Sequence, residues 1–195
     1  LKDFGLNIYR PKRPGNFWVR TTGLGSYREV GRACHLVTTN ESKIMIDVGV
    51  NIANDSDPMP YFTAPEALPM EKMDAVILTH AHLDHAGMLP VLFRYGYRGP
   101  VFCTPPTRDM MLLLQSDYLK IGGAEGKRAP YDMEDIRTCM RHVVDVDWGQ
   151  TVDITPDVKM TFHNAGHILG SSSVHLHVGD GKHNIVFSGD QKYEK

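Results

Sequence analysis

The sequence predicts an α/β protein with mixed sheets. Three observations predict this class: short strand-type runs open the chain, strand–helix units occupy its middle, and a second series of strand-type runs follows. The 195 residues are enough for one domain with a sizeable core. Hydrophobic residues make up 42% and charged residues 23%, which is typical of a globular domain.

The predicted elements follow from periodicity and turn residues. β-rich runs bounded by glycine or polar turns predict strands at 17–22, 33–38 and 43–48. A proline-containing loop with one helical turn at 65–68 is predicted for 51–73, and the run AVILT at 75–79 predicts a buried strand. Helices are predicted at 88–95, 105–119 and, after a capping Asp132, 133–142, with a mobile glycine loop at 122–126. Further strands are predicted at 101–103, 150–154, 158–163, 173–178 and 184–188.

Domain organisation follows from where composition changes. Residues 1–15 are polar and rich in Lys, Arg, Pro and Gly, which predicts a linker or N-terminal arm, and residues 16–195 are predicted to belong to one domain. Because no helix follows the last predicted strand to cover the sheet, we expect the chain to end inside a domain or just before an inserted one.

Composition excludes several classes of protein. No window approaches about 18 consecutive apolar residues, and the first residues have no apolar signal-peptide core, so we expect no membrane association and a cytoplasmic location. The three cysteines are widely spaced, which favours buried free thiols over disulfides or a zinc finger. The net charge of −2 shows none of the basic excess common in nucleic-acid-binding domains.

A cluster of ligand-type residues directly follows the predicted strand at 75–79. His80, His82, Asp84 and His85 form the pattern H-x-H-x-D-H. Side chains at i and i+2 of an extended segment point the same way, so His80 and His82 can bind one ion, while Asp84 and His85 can face a second. Imidazole and carboxylate are normal zinc ligands, and paired metals are typical of phosphate-ester hydrolysis.

This pattern resembles the metallo-β-lactamase superfamily, and the resemblance extends over about residues 17–190. His167 in NAGHILGSSS matches the family's third-motif histidine. Asp190, which ends IVFSGD, matches the carboxylate that bridges the two metals. Asp47, which ends KIMID, matches the first-motif aspartate, which orients the ligands through hydrogen bonds. The resemblance implies an αββα sandwich, of which these residues would form the N-terminal portion.

A finer resemblance rests on GSYREVGRACHLVTT followed by KIMIDVGVN. These segments are similar to the β-CASP nucleases, and among them to the archaeal relatives of the cleavage and polyadenylation specificity factor, in which KH domains come first. The resemblance implies a zinc-dependent ribonuclease that acts in RNA 3′-end processing and transcription termination, with RNA as its partner. It also implies that the β-CASP domain, and any homodimer contact made there, lies outside these residues.

The resemblance further implies a site of two zinc ions held by the imidazoles and carboxylates of the motifs. The ligands are His80, His82 and His167 for one ion, and Asp84, His85 and the bridging Asp190 for the other. A histidine outside these residues would complete the second ion, and a hydroxide activated by both metals would attack the phosphate. Asp84 would also position or deprotonate this nucleophile.

Two alternatives stay open on the sequence alone. A glyoxalase-type thioesterase would carry nearly the same metal residues, and a relative without catalytic activity could serve as a scaffold in a processing complex. Arg28, Glu29 and Arg32 could contact RNA or form a surface salt-bridge cluster. The remaining histidines favour ordinary packing over metal binding, including His175 and His177, which alternate on one face of a predicted strand; the others are His35, His142, His163 and His183.

Overall fold

A computed structural model describes residues 17–54, 56–126 and 129–192 of the chain. The predicted N-terminal arm at residues 1–15 lies outside these described residues. Among them, no helix is both long enough and apolar enough to cross a bilayer.

Two sheets form the centre of the fold. The first has six strands in the spatial order β1 to β6: Val19–Gly25, Cys34–Thr39, Lys43–Ile46, Ala75–Ile77, Val101–Cys103 and Val143–Asp145. Its first three strands are antiparallel, and its pairings from β3 to β6 are parallel. The second sheet is antiparallel in the order β10-β9-β8-β7, which are His183–Phe187, Ser172–Val178, Val158–Asn164 and Thr151–Thr155. The predicted α/β class with mixed sheets is confirmed.

The helices and the second sheet pack on opposite faces of the first sheet. The helices are α1 Leu83–Ala86, α2 Leu89–Arg94, α3 Pro105–Ala124 and α4 Met133–Met140. One apolar cluster lies between them and the first sheet, and it includes Met45, Val76 and Leu92. A second cluster, including Ile77 and Phe162, fills the space between the sheets. The described residues therefore form helix, sheet and sheet layers of the sandwich.

Most predicted elements are present with ends shifted by one to three residues, one local prediction was wrong, and two short elements were not predicted. The helix α3 continues to Ala124 through Gly122 and Gly123, which were predicted to lie in a loop. Their cost is limited because they occupy the last turn, and the chain reverses only at Gly126, whose φ is +70°. A hydrogen-bonded turn is present at 65–67, where the Ala67 N–H donates to the Ala64 carbonyl at 2.9 Å, and a separate 3₁₀ turn follows at Met70–Lys72. The short helix α1 and the edge strand β6 were not predicted.

Two sequence predictions about single residues are confirmed. The Asp132 side chain accepts hydrogen bonds from the backbone N–H groups of Glu134 and Asp135, so it caps α4 as expected. The thiols Cys34, Cys103 and Cys139 are all buried and unpaired. Burial raises the pKa of each thiol, which keeps these cysteines protonated and inert.

Candidate metal centre

The candidate centre lies where the parallel strands β3 and β4 end. Ile46 is in register with Ile77, and the Asp47 N–H donates to the Ile77 carbonyl at 2.9 Å, so Asp47 lies beside the segment that follows β4. That segment contains Thr79, His80 and the rest of the histidine motif. The turns after β8 and β10 of the second sheet bring His167 and Asp190 to the same place.

A first group of ligand atoms comes from three histidines. The Nδ1 atom of His82 lies 3.2 Å from the Nε2 atom of His80 and 3.2 Å from the Nε2 atom of His167. One oxygen of Asp190 lies 3.6 Å from the His167 Nε2 atom. Nitrogen ligands about 2.0–2.1 Å from a tetrahedral zinc ion lie roughly 3.3 Å from one another. The spacing and the imidazole chemistry therefore fit a zinc ion.

A second group shares Asp190 with the first. The other Asp190 oxygen lies 3.4 Å from the Nε2 atom of His85, and an Asp84 oxygen lies 3.8 Å from the same nitrogen. The two oxygens of Asp190 thus face His167 on one side and His85 on the other. The structure brings all six predicted ligand residues together in an arrangement that could hold two metal ions with Asp190 between them.

Asp47 contacts the second group through the Nδ1 atom of His85. Its carboxylate accepts hydrogen bonds from the backbone N–H and the hydroxyl of Thr79, both at 2.8 Å, and lies 2.8 Å from the Nδ1 atom of His85. This contact leaves the Nε2 atom of His85 directed at Asp190 and Asp84. Asp47 itself adopts a positive φ of 60°, which turns the chain sharply after β3.

The protein groups alone shift the pKa values of two histidines in opposite directions. Burial, followed by the neighbouring His85, lowers the pKa of His80 to about 4. Burial also disfavours the charged form of His85, but the contact and hydrogen bond with Asp47, together with Asp84 and Asp190, outweigh it and raise the pKa of His85 to about 9. Because a histidine ligand must be neutral, metal binding at His85 requires it to release a proton.

Backbone hydrogen bonds hold the motif segment against the neighbouring chain. The carbonyls of Leu83, Asp84 and His85 accept from the N–H groups of Val50, Ala33 and Val48 respectively, at distances of 2.9, 2.8 and 2.6 Å. Gly49 is essential to this contact, since a Cβ atom at its position would lie 1.6 Å from the Asp84 carbonyl oxygen.

A buried arginine connects two loops that lie next to the Ala33–Asp84 backbone contact. The Arg32 side chain is 4% exposed and forms ion pairs with Glu29 at 2.5 Å and Asp57 at 2.9 Å. It also donates to the hydroxyl of Tyr61 and to the Met59 carbonyl. Glu29 and Arg32 were expected either to contact RNA or to form a salt-bridge cluster, and in the structure they form the salt-bridge cluster. Arg28 is exposed on the same loop.

Two supporting hydroxyls were missed by the sequence reasoning. Thr79 donates to Asp47, and its hydroxyl lies 3.0 Å from the Nδ1 atom of His80. The Ser171 hydroxyl accepts from the N–H groups of His167 and Ile168, both at 3.1 Å, and so fixes the turn that carries His167. The position of each hydroxyl next to a ligand motif was a usable signal.

The other histidines make contacts outside the six ligand residues, although His35 lines the same cleft as Asp84 and His85. His142 contacts the Thr138 carbonyl, His183 stacks on Phe17, and His35 contacts the Tyr27 hydroxyl. A cleft of about 420 Å³ leads from Asp84, His85 and Asp190 between two chain segments. Its walls include Ser26, Glu29, Val30 and Gly31 on one side and Val186, Phe187 and Ser188 on the other.

Comparison with known proteins agrees with this fold and cluster. The family model described as the metallo-beta-lactamase superfamily domain matches residues 36–194. The chain belongs to this superfamily. It therefore has the fold of metal-dependent hydrolases, and the family and the cluster together indicate a protein that binds divalent metal ions.

Particular relatives are archaeal. The chain is 53% identical over 195 residues to the transcription termination factor FttA of Methanosarcina mazei, and 53% identical to that of Methanocaldococcus jannaschii. These matches cover all of this chain and 31% of each relative, so the chain spans about a third of their length.

Solved structures confirm the fold. A metallo-beta-lactamase mutant from Cronobacter sakazakii matches with a TM-score of 0.58 and 21% identity, over 89% of this chain and 64% of that one. The metallo-beta-lactamase fold protein YhfI from Bacillus subtilis matches with a TM-score of 0.57 and 17% identity, over 90% of this chain and 64% of that one.

Proposed function

We propose that this chain is the metal-binding part of a zinc-dependent ribonuclease that acts in RNA 3′-end processing and transcription termination. The observation that carries the proposal is the position of Asp190, whose two oxygens face two separate groups of ligand atoms. Two metals that share ligands a few ångströms apart are the standard arrangement for displacement at phosphorus. The naming of the archaeal relatives as transcription termination factors supports RNA as the substrate.

The ligand residues divide into two sets in this proposal. His80, His82 and His167 would hold one zinc ion, Asp84 and His85 would hold the other, and Asp190 would contribute to both. When bound, zinc supplies a nucleophile at neutral pH and neutralises charge that develops on the phosphate oxygens. Zinc is favoured by four imidazole nitrogens with two carboxylates, since magnesium and calcium prefer oxygen ligands.

The residues of the chain have distinct tasks in this reaction. Asp84, whose side chain is 36% exposed at the cleft, positions the attacking water and accepts its proton. Asp47 keeps the Nδ1 atom of His85 occupied, so that the Nε2 atom stays directed at the second metal position. The cleft beside Asp84 and Asp190 gives the phosphodiester a path to the centre.

The test compares RNA cleavage and metal content in the natural protein that carries this chain. His82→Ala removes the nitrogen at the middle of the first ligand group, so both bound zinc and cleavage of a single-stranded RNA are expected to fall strongly. His183→Ala is the control, because His183 is exposed and stacks on Phe17 outside the cluster. Unchanged zinc and unchanged cleavage in His82→Ala would contradict the proposal. A wild-type protein that binds zinc and hydrolyses thioesters but leaves RNA intact would instead favour the glyoxalase-type alternative.

A further inference from the structure

The outer face of the second sheet carries a separate group of histidines. In β8 and β9, Phe162 and Leu176 point into the core between the sheets. Because side chains alternate along a strand, Thr161, His175 and His177 point to the opposite face. Among the described residues, the helices pack on the other sheet, so His175 and His177 remain partly exposed on this face.

Three ligand-type atoms converge on this face. The His175 and His177 rings lie 3.9 Å apart between centroids. On the neighbouring strand β10, Asn184 is in register with His177. Its side-chain oxygen lies 3.0 Å from the Nε2 atom of His175 and 3.1 Å from the Nδ1 atom of His177. These separations are close to the 3.2 Å between imidazole nitrogens in the candidate metal centre.

Surrounding groups fix the orientation of two of these ligands. The Nε2 atom of His177 lies 3.0 Å from the Thr161 hydroxyl, which in turn lies 2.7 Å from the Thr151 hydroxyl. The Asn184 amide nitrogen donates to the Gly181 carbonyl at 3.3 Å, which leaves the amide oxygen facing the histidines. Hydrogen bonds of this kind, made by the atom of each ligand that does not bind the metal, are typical of metal sites in proteins.

We propose that His175, His177 and Asn184 form a second, separate metal site on the outer face of the second sheet. It takes a divalent transition-metal ion, bound by two imidazole nitrogens and one amide oxygen, with water in the remaining positions. Two imidazoles select zinc, nickel or copper over magnesium and calcium, and copper binds most tightly of the three. A further imidazole, that of His163, lies with its ring 5.8 Å from that of His175 on the adjacent strand.

The alternative is a hydrogen-bonded group without metal, in which both imidazoles donate an N–H to the Asn184 oxygen. The two cases differ in what added metal does. In the metal site, the Thr161 hydroxyl accepts from the Nε2–H group of His177, and the Nδ1 lone pair is free to bind the ion. In the metal-free group, the tautomer is reversed and no ion is held.

The experiment uses the chain with His82→Ala, His85→Ala and His167→Ala, which remove ligands of both groups in the candidate metal centre and leave it one imidazole, that of His80. This background variant is titrated with Cu²⁺ and with Zn²⁺, and electron paramagnetic resonance is recorded for the copper form. We expect one ion bound with nitrogen hyperfine structure from two imidazoles, and at least a tenfold weaker binding after His177→Ala is added. Adding His183→Ala, on the strand of Asn184, is the matched control and should change nothing.

Each outcome is decisive for this site. No bound ion in the background variant, or binding that is unchanged when His175→Ala and His177→Ala are added together, would overturn it. The copper spectrum of the background variant gives an answer even if the added variants fold poorly, since a spectrum without imidazole nitrogens also overturns the site. None of these results depends on nuclease activity, so the proposed function stands or falls separately.

Discussion

Asp47 links the backbone turn after β3 to the direction in which His85 points. It is 1% exposed and accepts both the N–H and the hydroxyl of Thr79 while contacting the Nδ1 atom of His85. A carboxylate held in this way fixes the imidazole ring and makes its other nitrogen a better ligand. Gly189 completes the arrangement, because a Cβ atom there would lie 2.8 Å from the Thr79 side chain.

Replacing Asp47 by Asn should weaken metal binding at the His85 side of the centre by about 10–100-fold, the usual effect of losing such a supporting carboxylate. The measurement is zinc competition with a chelator of known affinity. Asp153→Asn, a change at an exposed strand residue, is the control. Equal zinc affinity in Asp47→Asn and the wild type would show that the hydrogen bond to His85 is unimportant.

The two shifted histidines predict how the stability of chelator-treated protein depends on pH. The pKa of His85 is about 9 in the folded protein, compared with the ordinary value of 6.5 for histidine. Protonated His85 therefore stabilises the fold fully below about pH 6.5, and this contribution is lost as the pH rises through 9. His80, with a folded pKa of about 4, destabilises the fold as the pH falls from about 6.5 to 4. The melting temperature should therefore be highest near pH 6.5. In His85→Ala, the melting temperature should no longer fall as the pH rises above 6.5. If the melting temperature of the wild type is equally constant above pH 6.5, His85 does not stabilise the fold in this way.

The motif segment is held mainly by backbone groups of neighbouring segments, which places strict limits on what can replace Gly49. Gly49→Ala would force a Cβ atom into the Asp84 carbonyl, so we expect loss of bound zinc and a lower melting temperature. Gly123→Ala is the matched change, because its Cβ would meet nothing within 4 Å in the last turn of α3. Because Gly123 lies in the last turn of the helix, the change should stabilise the chain by no more than about 0.5 kcal/mol. Similar effects of the two alanines would contradict this account.

The loops at 26–32 and 56–61 are held together by the planar guanidinium group of Arg32. Lysine keeps the charge but cannot bind Glu29 and Asp57 while donating to Tyr61 and Met59, so Arg32→Lys should cost about 2 kcal/mol of unfolding free energy in urea. Arg28→Lys, an exposed change on the same loop, should cost almost nothing. A difference of less than about 0.5 kcal/mol between the two variants would remove Arg32 from this role.

Local sequence patterns predicted an element well where its own side chains determine its structure. They predicted it poorly where pairing or packing with other segments determines it. AVILT and the alternation in β8 and β9 predicted buried strands, since their apolar residues have few other places to lie. The strand β6 has only three residues and is defined by its pairing with β5, which no local pattern contains. Glycines 122 and 123 predicted a loop, but the rest of α3 extends the helix over them.

At the level of the molecule, the two sheets bring together groups that are far apart in sequence. The sequence predicted all six candidate ligand residues, which the structure brings together, because the order of four motifs resembles a known superfamily, while spacing alone supported only His80, His82, Asp84 and His85. It could not predict that each oxygen of Asp190 faces a different ligand group, because that depends on how β10 packs beside the first sheet. The contacts of Thr79, Ser171 and Arg32 form only on folding, although the positions of Thr79 and Ser171 near ligand motifs marked these two as candidates.

The central claim is that Asp190 would serve as a ligand of two metal ions, and zinc content per molecule tests it most directly. Elemental analysis should give about two zinc ions per molecule of the natural protein. Asp190→Ala should lower this value, because both ions would lose a ligand. No bound zinc, or the same zinc content with and without Asp190, would contradict the two-metal account.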